Sequence, residues 1–167
     1  MILIVEDSED DILLLRRALR NLGLSDEPNV VRSGGQAIEY LGGEKEFADR
    51  EEFPLPRLIL LDLKMPGIDG FEVLKWLREE PPLNQIPVVV MTGSTYSPDI
   101  RRAYQLGAKT FIVKPEDPWE YERALKQVTD YWLSTRAAPE RQITVERTAR
   151  QEQERRRLAH AGAWAAD

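Results

Sequence analysis

Short apolar runs, each no longer than a strand and each followed by a helix-length segment, leave this chain very few folds. Four are rich in Val, Ile, Leu or Phe, at residues 2–5, 58–61, 88–91 and 111–113, and a weaker one lies at 29–31. Their apolar character is continuous rather than alternating. Strands buried on both faces have that pattern, as in a parallel sheet covered by helices. Helical spacing fills the gaps at 10–22, where Ile12, Leu15 and Leu19 recur at three and four residues, then at 36–41, 71–79, 100–106 and 119–133. Gly23 and Gly107 follow the first and fourth of these segments as helix-ending residues, and Pro118 stands where a first-turn proline belongs in the fifth. Five strand–helix units in this order predict an α/β fold, a doubly wound parallel sheet.

The connection 42–57 is longer than usual between a helix and a strand. Its charges, Phe53, Pro54 and Pro56 predict a surface excursion. The units end near residue 135, so residues 1–135 form the expected domain. Residues 136–167 are a polar, Arg-, Gln- and Glu-rich tail with too few apolar residues for a core of its own; a helix, a dimer contact and an unstructured end all fit that composition.

Composition narrows the chemistry. The chain has no cysteine, which excludes disulfides, thiolate zinc sites and thiol nucleophiles, and its one histidine, His160, sits in the tail without partners for a triad. Carboxylates, hydroxyls and lysines must do the work. A formal charge of -6 argues against nucleic acid as a partner. No apolar run is long enough to span a bilayer, and Met1 leads straight into the first strand without the pattern of a secretory signal, so a cytoplasmic protein is expected.

Open α/β sheets carry their sites at the carboxyl ends of the strands. There the first run leads into Glu6-Asp7-Ser8, the third into Asp62-Leu63-Lys64, the fourth into Thr92-Gly93-Ser94 and the last into Lys114-Pro115. Carboxylates of Glu6, Asp7 and Asp62 brought together would repel and recruit a cation. Mg²⁺, which takes oxygen ligands from a few carboxylates and phosphate groups, suits such a pocket. With a phosphoryl group present, Mg²⁺ and Lys114 would balance its oxygens, the Thr92 hydroxyl would donate to one of them, and Asp62 would be the oxygen nucleophile. Glu9, Asp10 and Asp11 read instead as solvated charges favourable at a helix N-terminus. Lys64 and Ser94 flank the path by which water would reach a phosphorylated Asp62.

At this point the sequence resembles the receiver domain of bacterial two-component response regulators, over about residues 1–135. The resemblance rests on Glu6-Asp7 after the first strand, on Asp62 followed by Lys64-Met65-Pro66-Gly67-Ile68-Asp69-Gly70, on Thr92-Gly93, and on Lys114-Pro115. It implies the flavodoxin-like strand order 2-1-3-4-5. It further implies Asp62 as phosphoacceptor, Glu6, Asp7, Asp62 and the Lys64 backbone carbonyl as Mg²⁺ ligands, and Thr92 and Lys114 as binders of the phosphoryl group. Phe111 matches the aromatic switch position of the family; as a residue it reads equally as a core aromatic. The long 42–57 connection and the ending Tyr131-Trp132-Leu133 resemble single-domain regulators that partner phytochrome kinases, so a sensor histidine kinase, and a bacterial phytochrome in particular, is the implied partner.

No further domain for reading DNA fits in the residues after 137, so output by protein contact is expected, with homodimerisation through the face of the fourth helix, fifth strand and fifth helix, where Tyr104, Trp119 and Trp132 lie. Two rival readings carry the same residues. A magnesium-dependent aspartyl-phosphate phosphatase would share the nucleophile, but needs an acid two residues beyond it, where Lys64 stands. A pseudo-receiver that only docks would not need the acid, hydroxyl and lysine set.

Overall fold

A computed structural model of the chain describes residues 1–134, apart from 25, 94–96 and 116. The sheet comprises β1 (Ile2–Val5), β2 (Asn29–Val31), β3 (Leu58–Asp62), β4 (Val88–Thr92) and β5 (Thr110–Val113), and the helices are α1 (Glu9–Asn21), α2 (Gly34–Gly42), α3 (Gly70–Glu79), α4 (Ser97–Gln105) and α5 (Pro118–Ser134). All strands run parallel in the order β2-β1-β3-β4-β5. The doubly wound sheet and its 2-1-3-4-5 order are therefore as expected.

The central strands β1, β3 and β4 are apolar up to their carboxyl ends because both faces are covered, whereas the edge strands β2 and β5 are partly exposed. Leu3, Ile4, Val5 and Leu58 to Leu61 are wholly buried, each stabilising by roughly 1.5–3 kcal/mol over an exposed position. α1 and α5 share one face of the sheet: Leu15, Ala18 and Leu19 of α1 and Tyr121 and Leu125 of α5 pack into one cluster with Ile4, Leu60 and Ile112. On the other face α2 packs on α3, and α3 meets α4, where the Arg102 guanidinium lies 4.2 Å from the Phe71 ring centroid.

Helix starts follow local hydrogen-bonding chemistry. Ser8, not one of the acidic residues after it, caps α1, its side chain accepting from the Asp11 amide at 3.4 Å. Asp69 caps α3 in a reciprocal arrangement with Glu72. Gly70 is required where α3 begins, since a Cβ there would fall 2.3 Å from the Asp62 carbonyl oxygen. The β3–α3 loop thus folds back against the end of β3, closed by the Gly70 amide donating to the Leu63 carbonyl at 3.1 Å.

The connection after α2 departs from a plain surface excursion. It opens with a 3₁₀ turn, Lys45–Ala48, whose Phe47 is buried, and Tyr40, Phe47 and Phe53 stack with centroids 5.2 to 6.0 Å apart. The Arg50 guanidinium donates to the carbonyls of Tyr40 (2.8 Å), Leu41 (2.9 Å) and Phe53 (3.0 Å). Phe47 and Phe53 fall in no helical or strand period, which is why their burial does not show in the sequence. The expected tail, 136–167, and its boundary at 135 lie outside the described residues.

Candidate functional site

The site lies at the carboxyl edge of the sheet and is built by strand ends and the loops that leave them. Asp62 and Thr92 are the last residues of β3 and β4, still in register with Met91 and Val113. Their side chains are held by the ladder rather than by a loop, and both are buried. The Thr92 carbonyl accepts the Lys114 amide at 2.7 Å, which fixes the start of the β5–α5 connection over the site. Glu6, just past β1, donates its backbone N–H to Val31 at 3.1 Å. That bond turns its side chain into the interior, where it is 2% exposed, while Asp7 beside it stays exposed.

Lys114 organises the charges. Its Nζ lies 2.7 Å from Glu6 Oε2, 2.7 Å from Asp11 Oδ2 and 3.2 Å from Asp62 Oδ1. The other Asp62 oxygen accepts the Lys64 backbone N–H at 2.9 Å, and Glu6 Oε1 accepts the Ser8 N–H at 3.1 Å. Carboxylate oxygens of Glu6, Asp7 and Asp62 all lie within 4.8 Å of one another.

Burial pushes the Glu6 carboxyl above its usual range, and the hydrogen bond and charge of Lys114 only partly oppose that rise. Burial alone would lower the Lys114 ammonium. Its hydrogen bonds to Asp11 and Glu6, with the charges of Asp62 and Glu6, outweigh that and raise it, so Lys114 stays protonated.

Glu6, Asp11 and Asp62 share the Lys114 ammonium, and Asp7 adds a fourth carboxylate beside Glu6 and Asp62, an excess of negative charge among the described residues. The donors are all oxygens, without nitrogen or sulfur, and three converge. That set fits a hard divalent cation of the Mg²⁺ class.

The sequence-predicted residues Glu6, Asp7, Asp62, Thr92 and Lys114 therefore meet at one edge. The Lys64 amide is on Asp62, and its side chain is exposed. Phe111 is half-buried and meets Tyr104 of α4 edge-on at 6.0 Å, so it joins β5 to α4 instead of sitting in the core. Ser94 lies outside the described residues. Of the aromatics expected on the outer face, Tyr104 and Trp119 are exposed, as is Tyr131, whereas Trp132 packs partly onto the core cluster.

Asp11 is the residue that sequence reading missed. Taken for a solvated helix-end charge, it instead holds Lys114. The available signal was its place one turn before Leu15 on the buried stripe of α1, which directs it toward the sheet and α5.

The chain matches a family model described as the response regulator receiver domain over residues 2–126. It is 36% identical over 143 residues to the probable methanogenesis regulatory protein FilR2 of Methanothrix harundinacea, covering 83% of this chain and 87% of that one. Response regulator Rcp1 of Synechocystis is 34% identical over 139 residues (83% and 92% covered), and the solved Mn²⁺-bound form of Rcp1 superposes with a TM-score of 0.72, covering 83% of this chain and 97% of that one. The phosphorylated cyanobacterial phytochrome response regulator RcpA is 38% identical, with a TM-score of 0.75 over 83% of this chain and 96% of that one.

Proposed function

The chain belongs to the response regulator receiver family of two-component signalling proteins, and from that premise we propose that it accepts a phosphoryl group on Asp62 from the phosphohistidine of a sensor histidine kinase. One observation supports this above the others. Asp62 is the buried carboxylate at which a carboxylate pair, a lysine ammonium 3.2 Å away and a backbone N–H at 2.9 Å all meet.

In the reaction an Asp62 oxygen attacks phosphorus. An O–P bond forms, the N–P bond to the donor imidazole breaks, and the leaving imidazole takes up a proton. Lys114 stays charged throughout and turns from its carboxylates to a phosphoryl oxygen. The Thr92 hydroxyl donates to another, from a position fixed by β4. Glu6, Asp7, Asp62 and the Lys64 carbonyl would hold Mg²⁺, which would offset charge on the phosphoryl oxygens.

Movement of Thr92 toward the phosphoryl group draws on β4, and Phe111, packed on Tyr104, passes the change to α4, β5 and α5. That face carries exposed Tyr104, packed on Phe111, and it is assigned as the signalling and homodimer surface. Residues 1–135 are the acting domain and 136–167 an accessory tail. Similarity to RcpA, a phytochrome response regulator, supports a phytochrome-type kinase as donor. Among the described residues no helix is long and apolar enough to cross a membrane.

Incubation with Mg²⁺ and acetyl phosphate should add one phosphoryl group by intact mass, at Asp62, and Asp62→Asn should abolish it. An unmodified wild-type protein would overturn the reading. Steady hydrolysis of a phosphomonoester, lost in Asp62→Asn, would favour the phosphatase instead.

A further inference from the structure

Two groups beside the site have no part in the reaction as written. Asp11 of α1 accepts from Lys114 Nζ at 2.7 Å, a shorter contact than the 3.2 Å between that nitrogen and Asp62. The resting ammonium is therefore held toward α1 and Glu6, and to serve a phosphoryl group on Asp62 it must give up a partner. Glu6 is the deeper of the two and keeps the Ser8 N–H. Asp11 is partly exposed and its carboxylate has Lys114 as its charged partner.

The second group is the Tyr121 hydroxyl, the one buried side-chain polar atom without a hydrogen-bond partner among the described residues. An unpaired buried donor costs about 1–3 kcal/mol, so it calls for a reason. Tyr121 packs with Leu15 and Ala18 of α1. Asp11 lies one turn before Leu15 on that same stripe, so the hydroxyl and the carboxylate share one side of α1. The charges of Lys114, Asp11, Glu6 and Asp62 all act on this hydroxyl, after burial, which keeps it protonated and a donor.

From these observations, and resting on the reading of Asp62 as phosphoacceptor, we propose that Asp11 is the resting berth of the Lys114 ammonium and that the Tyr121 hydroxyl takes the ammonium's place on Asp11 when Lys114 turns to the phosphorylated Asp62. No bond is made or broken beyond this exchange of hydrogen bonds. Asp11 opposes phosphorylation because its ion pair with Lys114 is lost on the way, and Tyr121 favours it because its donor is satisfied only afterwards. Both are positioning residues. Tyr121 also lines the groove between α1 and α5 with Leu14, Arg17 and exposed Trp119, so the exchange carries the state of Asp62 to that side of the domain.

Beryllofluoride, which occupies the acceptor aspartate as a phosphoryl mimic, provides the test, with Trp fluorescence as readout in Mg²⁺. Asp11→Ala should bind it about fivefold tighter, the low end of ordinary coupling between sites. Tyr121→Phe should bind it more weakly, and adding Tyr121→Phe to Asp11→Ala should change nothing. In the wild-type protein, NMR should show the Tyr121 hydroxyl proton becoming slowly exchanging on beryllofluoride addition, a measurement that does not depend on a variant folding. Unchanged or weaker binding by Asp11→Ala, or an effect of Tyr121→Phe that persists without Asp11, would overturn this proposal while leaving Asp62 as acceptor. A wild-type protein that does not respond to beryllofluoride would overturn both.

Discussion

Two regions bury polar groups in opposite ways. In the 43–57 excursion and the adjoining α2 each strong donor named ends on a backbone acceptor: Arg50 on three carbonyls, and the Tyr40 hydroxyl on the Pro54 carbonyl at 2.9 Å while accepting from Asn29 at 2.8 Å. At the sheet edge, three carboxylates share one ammonium, Asp7 adds a fourth carboxylate beside Glu6 and Asp62, and among the described residues a buried hydroxyl goes unpaired. In the first region these buried donors are satisfied within the protein. The second is left short of positive charge, which is the condition of a site that gains stability only when a cation or a phosphoryl group arrives.

Breaking the saturated region should have the largest effect on folding and none on chemistry. Arg50→Ala removes a charged donor from three carbonyls, two of them at the end of α2, where the Tyr40 carbonyl keeps the Gly43 N–H at 3.1 Å, and is expected to lower the unfolding free energy by about 2 kcal/mol in urea melts. Labelling by acetyl phosphate at a temperature where the variant is folded should match wild type. A variant that loses labelling in proportion to stability would mean that the two regions are coupled, and the contrast would fail.

The unsaturated region should respond to ions instead. If the carboxylates hold Mg²⁺, the ion at a hundred times its dissociation constant stabilises the fold by about 2.7 kcal/mol. The gain, read as a rise in melting temperature, should be largely absent in Asp7→Asn and fully present in Arg50→Ala. Asp7 is the discriminating choice because it is exposed, so its loss removes a ligand without opening the core.

How much of this was legible in the sequence follows from the same contrast. Strands β1, β3 and β4 announce themselves because both-face burial demands an uninterrupted apolar run, β5 by its run Phe111-Ile112-Val113, and the candidate site residues stand at or directly after their ends. Asp62, Thr92 and Lys114 needed only the rule that strand ends converge. Asp11 did not fit that rule, since it reaches the site from within a helix, where an acidic first turn has an ordinary explanation in the helix dipole. Tyr121 was hidden for a similar reason: an aromatic on the buried stripe of α5 satisfies the packing pattern whether or not its hydroxyl finds a partner. The aromatic cluster of the excursion was illegible because Phe47 and Phe53 are brought to Tyr40 of α2 by a turn and an arginine, with no periodicity of their own to expose them.

The smallest effect expected is on pH dependence, and it tests the charge imbalance without any ligand. Burial raises the Glu6 carboxyl, so over the interval from its ordinary value of 4.5 up to its raised one the folded protein binds more protons at this position than the unfolded chain. Its contribution to stability is thus complete below 4.5 and is lost as pH rises through the raised value. Lys114, also raised, contributes fully below its ordinary 10.5 and is lost only above it, outside that interval. In chelator, the difference in unfolding free energy between wild type and Glu6→Gln should therefore shift against wild type as pH climbs from 4.5 toward neutrality, because Gln keeps an acceptor for Lys114 and Ser8 without the charge. Excess Mg²⁺ should flatten the difference by favouring the ionised carboxylate. A difference that stayed level with pH in chelator would mean that Lys114 already neutralises Glu6 in full, and the sheet edge would then be as saturated as the excursion.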